Sequence, residues 1–205
     1  CSGGVGFIGS HFVKLALRQG HSVGIIDALR YSARMKNLEG CSGMGDYAGV
    51  FEFDICDHIG VRYVLHDFKP DVIIDAATLT GAVVIALGKH CGALLGNDEG
   101  LIEGLREAGA ENHERLWQLP MFDEYLDDLK SDTADLKNSA NDSAGGTIRG
   151  AIFMAQFIRK GQKWAHLDIA GVAWQDTEHK LLAPSWGTGW GVRMLNRLVA
   201  DNYET

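Results

Sequence analysis

The stretch "FKPDVIIDAATLTGAVVIALG", Phe68 to Gly88, decides the fold class. "DVIIDA", residues 71–76, is a short apolar run after a proline and predicts a buried parallel strand. "ATLTG", residues 77–81, predicts a strand end with exposed backbone groups, a natural binding edge. "GAVVIALG", residues 81–88, is apolar and rich in β-branched side chains, so the strand is expected to continue through it. Asp71 and Asp75 fall on one face of that strand, Asp71 as a turn residue at its start and Asp75 as a polar group at its end.

Working outward, strands and helices alternate. "CSGGVGFIGS" (1–10) is a glycine-rich turn, and "HFVKLALRQG" (11–20) predicts a helix stopped by Gly20. "HSVGIID" (21–27) and "VFEFDI" (50–55) predict strands, with a loop and a short helix near "SARMKNLE" between them. "HIGVRYVLHDF" (58–68) predicts a helix. Downstream, an Asn/Asp cap opens a helix from Glu99 to about Glu114, and "FDEYLDDLKS" predicts an acidic helix. Residues 131–147 are a polar loop, 148–161 an apolar helix, 164–171 a buried strand, 172–190 a loop and 191–203 an amphipathic helix. The pattern is that of an α/β chain, a three-layer, mostly parallel sheet with helices on both faces.

Bulk properties narrow the function. In 205 residues, hydrophobic side chains make up 46% and charged ones 22%, the balance of a globular protein. A net charge of −8, with no basic cluster, argues against a nucleic-acid partner. No apolar run is long enough to predict a membrane span, so a cytoplasmic chain is expected. Cys1, Cys41, Cys56 and Cys91 show no metal-type spacing and are expected as reduced thiols. With 26 glycines against 3 prolines, tight strand-to-helix turns are favoured.

The N-terminal turn holds Gly4-x-Gly6-x-x-Gly9, and Asp27 closes the next strand. Glycines let a backbone approach a pyrophosphate, the helix start supplies amides, and the acid accepts from ribose hydroxyls. The alternative is a turn of purely structural use. The wording "GGVGFIGSHFVKLALRQGHSVGIIDALRYSARMKNLEG", then "FEFDICD" and "FKPDVII", resembles the extended short-chain dehydrogenase family, of the dTDP-glucose 4,6-dehydratase and nucleotide-sugar epimerase type. The resemblance covers about residues 1–74 and implies a dinucleotide-binding fragment with NAD as its cofactor. It assigns the pyrophosphate to Gly3, Gly6, Phe7, Ile8 and Gly9, the ribose to Asp27, and the adenine flank to Asp54 and Ile55. The Tyr-x-x-x-Lys pair that this family uses for acid–base work does not occur; Tyr125 and Lys130 are five apart.

From about residue 71 to 205, "DAATLTGAVVIALG", "RLWQLPMFDEYLDDLKSDTADLKN", "WAHLDIAGVAW" and "GTGWGVRMLNRLVADNYE" resemble the C-terminal part of leucyl aminopeptidase. That family is hexameric and uses two metals, so a homo-oligomer and Mn or Zn are what the resemblance implies. By it, Thr78, Leu79, Thr80 and Gly81 hold a peptide backbone, and Ala170 and Ala173 line the pocket for its N-terminal side chain. The family's metal-ligand segments lie upstream of "ATLTG", where this chain carries the dinucleotide-type fragment instead. No metal ligand and no catalytic residue is therefore assigned.

Other residues read as structural. His166 in "WAHLDIAG" reads as a core histidine, with Asp168 two positions on as its expected polar partner. The acids from Asp123 to Asp135 read as a solvated face, and Trp164, Trp174, Trp186 and Trp190 as packing residues near a surface or interface. The expectation is a chimera: residues 1–74 a Rossmann-like fragment, residues 75–205 an aminopeptidase fragment, sharing one continuous sheet. Three functions are compatible with it: a chain without turnover that retains some dinucleotide affinity, a residual aminopeptidase, or an oligomeric structural module.

Overall fold

A computed structural model describes residues 1, 3–30, 33–42, 44, 46–54, 57–140, 142–176 and 187–203. The chain divides into two compact units, Cys1–Pro70 with Leu195–Thr205, and Asp71–Met194.

The first unit opens on the glycine turn and helix α1 (Phe7–Arg18), followed by strand β1 (Ser22–Asp27). A 3₁₀ turn (Met35–Leu38) leads to strand β2 (Asp46–Glu52), and helix α2 (His58–Phe68) follows. β1 and β2 pair in parallel. Val5, Val13, Leu17, Val23 and Ile25 form the core, closed by Leu38 and Cys41. Asp57 caps α2 by accepting from the amides of Ile59 and Gly60, which is why that helix begins where the sequence places it. Beside β1, the backbone of Cys1 and Gly3 makes three bonds, Cys1 N to Gly24 O (2.7 Å), Ile26 N to Cys1 O (2.9 Å) and Gly3 N to Ile26 O (2.9 Å). This is a parallel ladder pattern, so the entry to the glycine turn runs alongside β1.

The second unit carries strand β3 (Val72–Ala77), helix α3 (Gly81–Leu87), strand β4 (Gly92–Gly96) and helix α4 (Glu99–Glu111). Strand β5 (Leu116–Gln118), helix α5 (Glu124–Asp127), helix α6 (Gly146–Ala155) and strand β6 (Lys163–Asp168) complete it, and helix α7 (Val192–Asn202) begins there. The strand order is β3-β6-β4-β5. β3 with β6 and β4 with β5 are parallel, whereas β4 with β6 is antiparallel. Alternation along β4 separates the two faces. Ala93 and Leu95 meet Val83 of α3, Ala151 of α6 and Trp164, while Gly96 on the opposite face backs onto Ile102 of α4. Helices therefore cover both faces, giving the expected α/β, three-layer, mostly parallel arrangement.

Three expectations change. The described strands form two sheets, β1-β2 and β3-β6-β4-β5, in place of one continuous sheet. The "GAVVIALG" segment is helical: Thr80 accepts from Val83 N (3.2 Å) as a cap, Val83 is buried, and packing against α6 outweighs the strand preference of Val83, Val84 and Ile85. β4 and β5 were not visible in the sequence, because "GALLG" has no β-branched residue and "LWQ" is three residues long. Among the described residues no helix is long and apolar enough to cross a membrane.

Candidate functional site

In the first unit, Gly3, Gly6, Phe7, Ile8 and Gly9 stand together on the turn and the first turn of α1, as the spacing implies. Gly3 has φ +67°, and a Cβ on Gly9 would sit 2.3 Å from Gly3 O, so the helix start is pressed onto the turn's backbone and only glycine fits. Gly6 is the cap residue and supplies no side-chain acceptor to the helix's first amides. Asp27 lies at this turn, almost wholly buried. Its two carboxylate oxygens accept from Val5 N (3.0 Å) and Leu29 N (2.9 Å). The acid thus ties the turn to the chain leaving β1, one carboxylate oxygen to each side. Asp54 forms an exposed ion pair with Arg30 at 2.7 Å. Ile55 lies outside the described residues.

In the second unit, the end of β3 delivers the Thr78–Gly81 loop against the end of β6, since Ala77 and Asp168 are register partners. Asp168, fully buried, accepts from Leu79 N (3.2 Å), Thr80 N (3.4 Å), Thr80 Oγ1 (2.5 Å) and Ala170 N (3.3 Å). Below the loop, α6 presents glycine at two positions one turn apart. A Cβ on Gly146 would meet Ala82 at 3.0 Å and one on Gly150 would meet Leu79 at 3.0 Å, so these glycines form the groove in which the loop rests. Gly81 opens α3. Ala173 belongs to the same turn after β6, its amide donating to Ile169 O at 2.9 Å.

His166 has a different partner from the one expected. Its Nδ1 bonds Asp75 Oδ1 at 2.6 Å, while Asp168 serves the loop. Register decides this, for Asp75 lies directly opposite His166 in the parallel β3–β6 pair. Asp75 Oδ2 also accepts from Trp164 Nε1 (2.8 Å), and the indole and imidazole planes stack at 13°. Asp75 is therefore a bridge between two core side chains. Trp164 is buried rather than near the surface, while Trp174 is exposed. His166 Nε2 is buried without a partner among the described residues. Trp186 lies outside the described residues.

Sequence reasoning did not find Glu114, which is buried and accepts from Met194 N (2.9 Å) and Arg193 Nε (3.3 Å) at the start of α7. Nothing in its local sequence signals a cap that acts on a helix so distant in the chain. The Gly146-x-x-x-Gly150 spacing, by contrast, was open to view.

Among the described residues, no three His, Cys, Asp or Glu side chains converge so as to hold a metal ion. Asp168, the carboxylate at the loop, is taken up by protein donors. The described residues do not fit a two-metal centre. Cys41 and Cys91 are free thiols, and burial pushes the Cys91 thiol up from its ordinary value; Cys56 lies outside the described residues.

The chain is thus a three-layer α/β protein with a glycine turn in one unit and a loop clamped at a strand end in the other. The chain belongs to the cytosol aminopeptidase family, whose catalytic-domain model matches residues 55–196. Residues 2–88 match the NAD dependent epimerase/dehydratase family. The two matches overlap over residues 55–88, so α2, β3 and α3 lie within both. A probable cytosol aminopeptidase of Geobacter sp. (strain M21) is 49% identical over 141 residues, which is 69% of this chain and 28% of that protein. The chain thus spans about a quarter of the length of such relatives. Among solved structures, a tomato leucine aminopeptidase mutant has a TM-score of 0.62 at 35% identity, covering 68% of this chain and 26% of that one. The bottromycin maturation enzyme BotP in complex with Mn has a TM-score of 0.63 at 34% identity, covering 71% and 33%.

Proposed function

We propose that this chain is a two-part α/β protein that performs no turnover, and that it keeps ligand-holding elements from each parent. These are a weak dinucleotide site at the glycine turn and a peptide-backbone loop at Thr78–Gly81. The observation that carries this reading is the commitment of the buried acids to internal bonds. Asp27 holds Val5 and Leu29, Asp168 holds Leu79, Thr80 and Ala170, and Glu114 holds Met194 and Arg193. A buried carboxylate already holding protein donors on both oxygens makes a poor metal ligand and a poor proton shuttle. At the turn, the close Gly3–Gly9 contact and the helix start without a side-chain cap favour an anionic ligand. Asp27 is buried and already accepts two amides, so it offers a ribose little, which makes the affinity low.

Two measurements test the reading. Hydrolysis of a leucine chromogenic amide is followed with added manganese or zinc, the first being the metal in the BotP structure, and again with chelator. A flat trace is expected in each case; metal-dependent release of the chromophore would replace this reading with that of a residual aminopeptidase. NAD is titrated while the melting temperature is followed. Ligand at about ten times its dissociation constant adds about 1.4 kcal/mol of stability, so a rise of a few degrees is expected. An unchanged melting temperature at about 10 mM NAD would remove the dinucleotide site, since it limits the affinity to values without use.

A further inference from the structure

The two segments that resemblance assigns to peptide binding, Thr78–Gly81 and the Ala170–Ala173 turn, belong to different parts of the chain, and one buried carboxylate joins them. We propose that Asp168 is the positioning residue of this site: it fixes the Leu79–Thr80 backbone and the Ala170 amide in one frame, so that the binding loop is formed before any ligand arrives. This rests on reading Thr78–Gly81 as a peptide-binding loop.

Four donors converge on Asp168, the amides of Leu79, Thr80 and Ala170 and the hydroxyl of Thr80, the last at 2.5 Å. Full burial makes each of these bonds stronger than it would be in water and makes loss of the acceptor costly to all four donors at once. The Thr80 hydroxyl is equally committed. Its proton goes to Asp168, so its oxygen is an acceptor for Val83 N (3.2 Å) and for the hydroxyl of Thr147 (3.0 Å). One hydroxyl has one proton and two lone pairs, and Thr80 uses all three. The direction of the chain Thr147 to Thr80 to Asp168 is thereby set, and it links α6, the loop and β6. Because the amides of Leu79 and Thr80 and the Thr80 side chain are engaged internally, they are held for the frame rather than offered to a ligand. Leu79 and Ala82 rest closely on Gly150 and Gly146 of α6, where a Cβ would come within 3.0 Å of each.

Amide hydrogen exchange, read residue by residue by NMR on the whole chain, tests this. In Asp168→Asn, the Leu79, Thr80 and Ala170 amides are expected to exchange about tenfold faster or more, while Leu95 and Ala165 in the sheet keep their rates. Unchanged rates at the loop, or an equal acceleration across the sheet, would overturn the proposal. Should that variant fail to fold, Thr80→Val and Thr80→Ser decide. The valine variant is expected to accelerate Leu79 and Val83, and the serine variant, which keeps the hydroxyl, to match the parent; equal behaviour of the two would overturn the assignment. A titration with the dipeptide leucyl-glycine separates the underlying reading. A shift of the Leu79 and Thr80 resonances in the parent and its weakening in Asp168→Asn are expected. No shift in the parent would reject the peptide-binding reading, and the exchange comparison alone would then decide the role of Asp168.

Discussion

Gly9 shows how much a single absent side chain can specify. A methyl group placed there would lie 2.3 Å from Gly3 O, against backbone that cannot swing aside. Gly9→Ala is expected to destabilise the first unit by about 1–3 kcal/mol or more, seen as a lower denaturant midpoint with the slope unchanged. An alanine variant with parental stability would mean that the turn is looser than its contacts imply. This residue's role was legible, because glycine spacing is itself the pattern. Asp75 was not. Its sequence neighbours suggest a strand-end group, and only the pairing of β3 with β6 brings Trp164 and His166 onto its two oxygens. Asp75→Ala orphans an indole and an imidazole donor, at an expected cost of about 2 kcal/mol, measured by chemical denaturation. A loss no greater than that of an ordinary surface substitution would place the bridge among bonds without consequence.

At the scale of elements, capping explains both what was read correctly and what was not. Helix α2 spans the residues expected of it, and the Asp57 side chain caps its start ahead of an amphipathic run. Helix α3 was not legible, since its cap Thr80 precedes "GAVVIAL", whose branched side chains favour a strand when read alone. Its helical state depends on β6 and α6, both distant in sequence, through Asp168 and Thr147. Helix α4 gives a pH-dependent test. Its cap Asp98 has its carboxyl held below the usual aspartate range, first by the Leu101 amide and then by Lys163. The folded protein therefore binds fewer protons than the unfolded chain at this site, and the stability it contributes is complete above about pH 4 and lost as pH falls through the lowered value. Asp98→Asn keeps a capping oxygen and removes the titration. Its plot of unfolding free energy against pH is expected to be shallower on the acid side; identical slopes would show that Asp98 takes no part in acid unfolding.

At the scale of the whole molecule, each unit has its own core, one around Val13 and Ile25, the other around Leu95, Ala151 and Trp164. Two cores of this kind are expected to unfold in two calorimetric transitions, with the thiol of Cys41, fully buried in the first, becoming reactive in only one of them. A single transition whose calorimetric and van't Hoff enthalpies agree would show one cooperative body. The two family resemblances were legible in the sequence, because each rests on a run of motif residues close together in the chain. The arrangement of strands into two sheets was not, because pairing partners leave no mark on either strand alone.

The placement of Trp164, stacked on His166 and bonded to Asp75, belongs to a wider asymmetry. All five tryptophans, from Trp117 to Trp190, fall within the Asp71–Met194 unit, and the glycine-turn unit has none. Excited at the long-wavelength edge, where indole absorbs and the phenols of Tyr31, Tyr47, Tyr63 and Tyr203 do not, the chain emits from that unit. Its indole light is a private readout of the Asp71–Met194 unit, and the glycine-turn unit is silent in it.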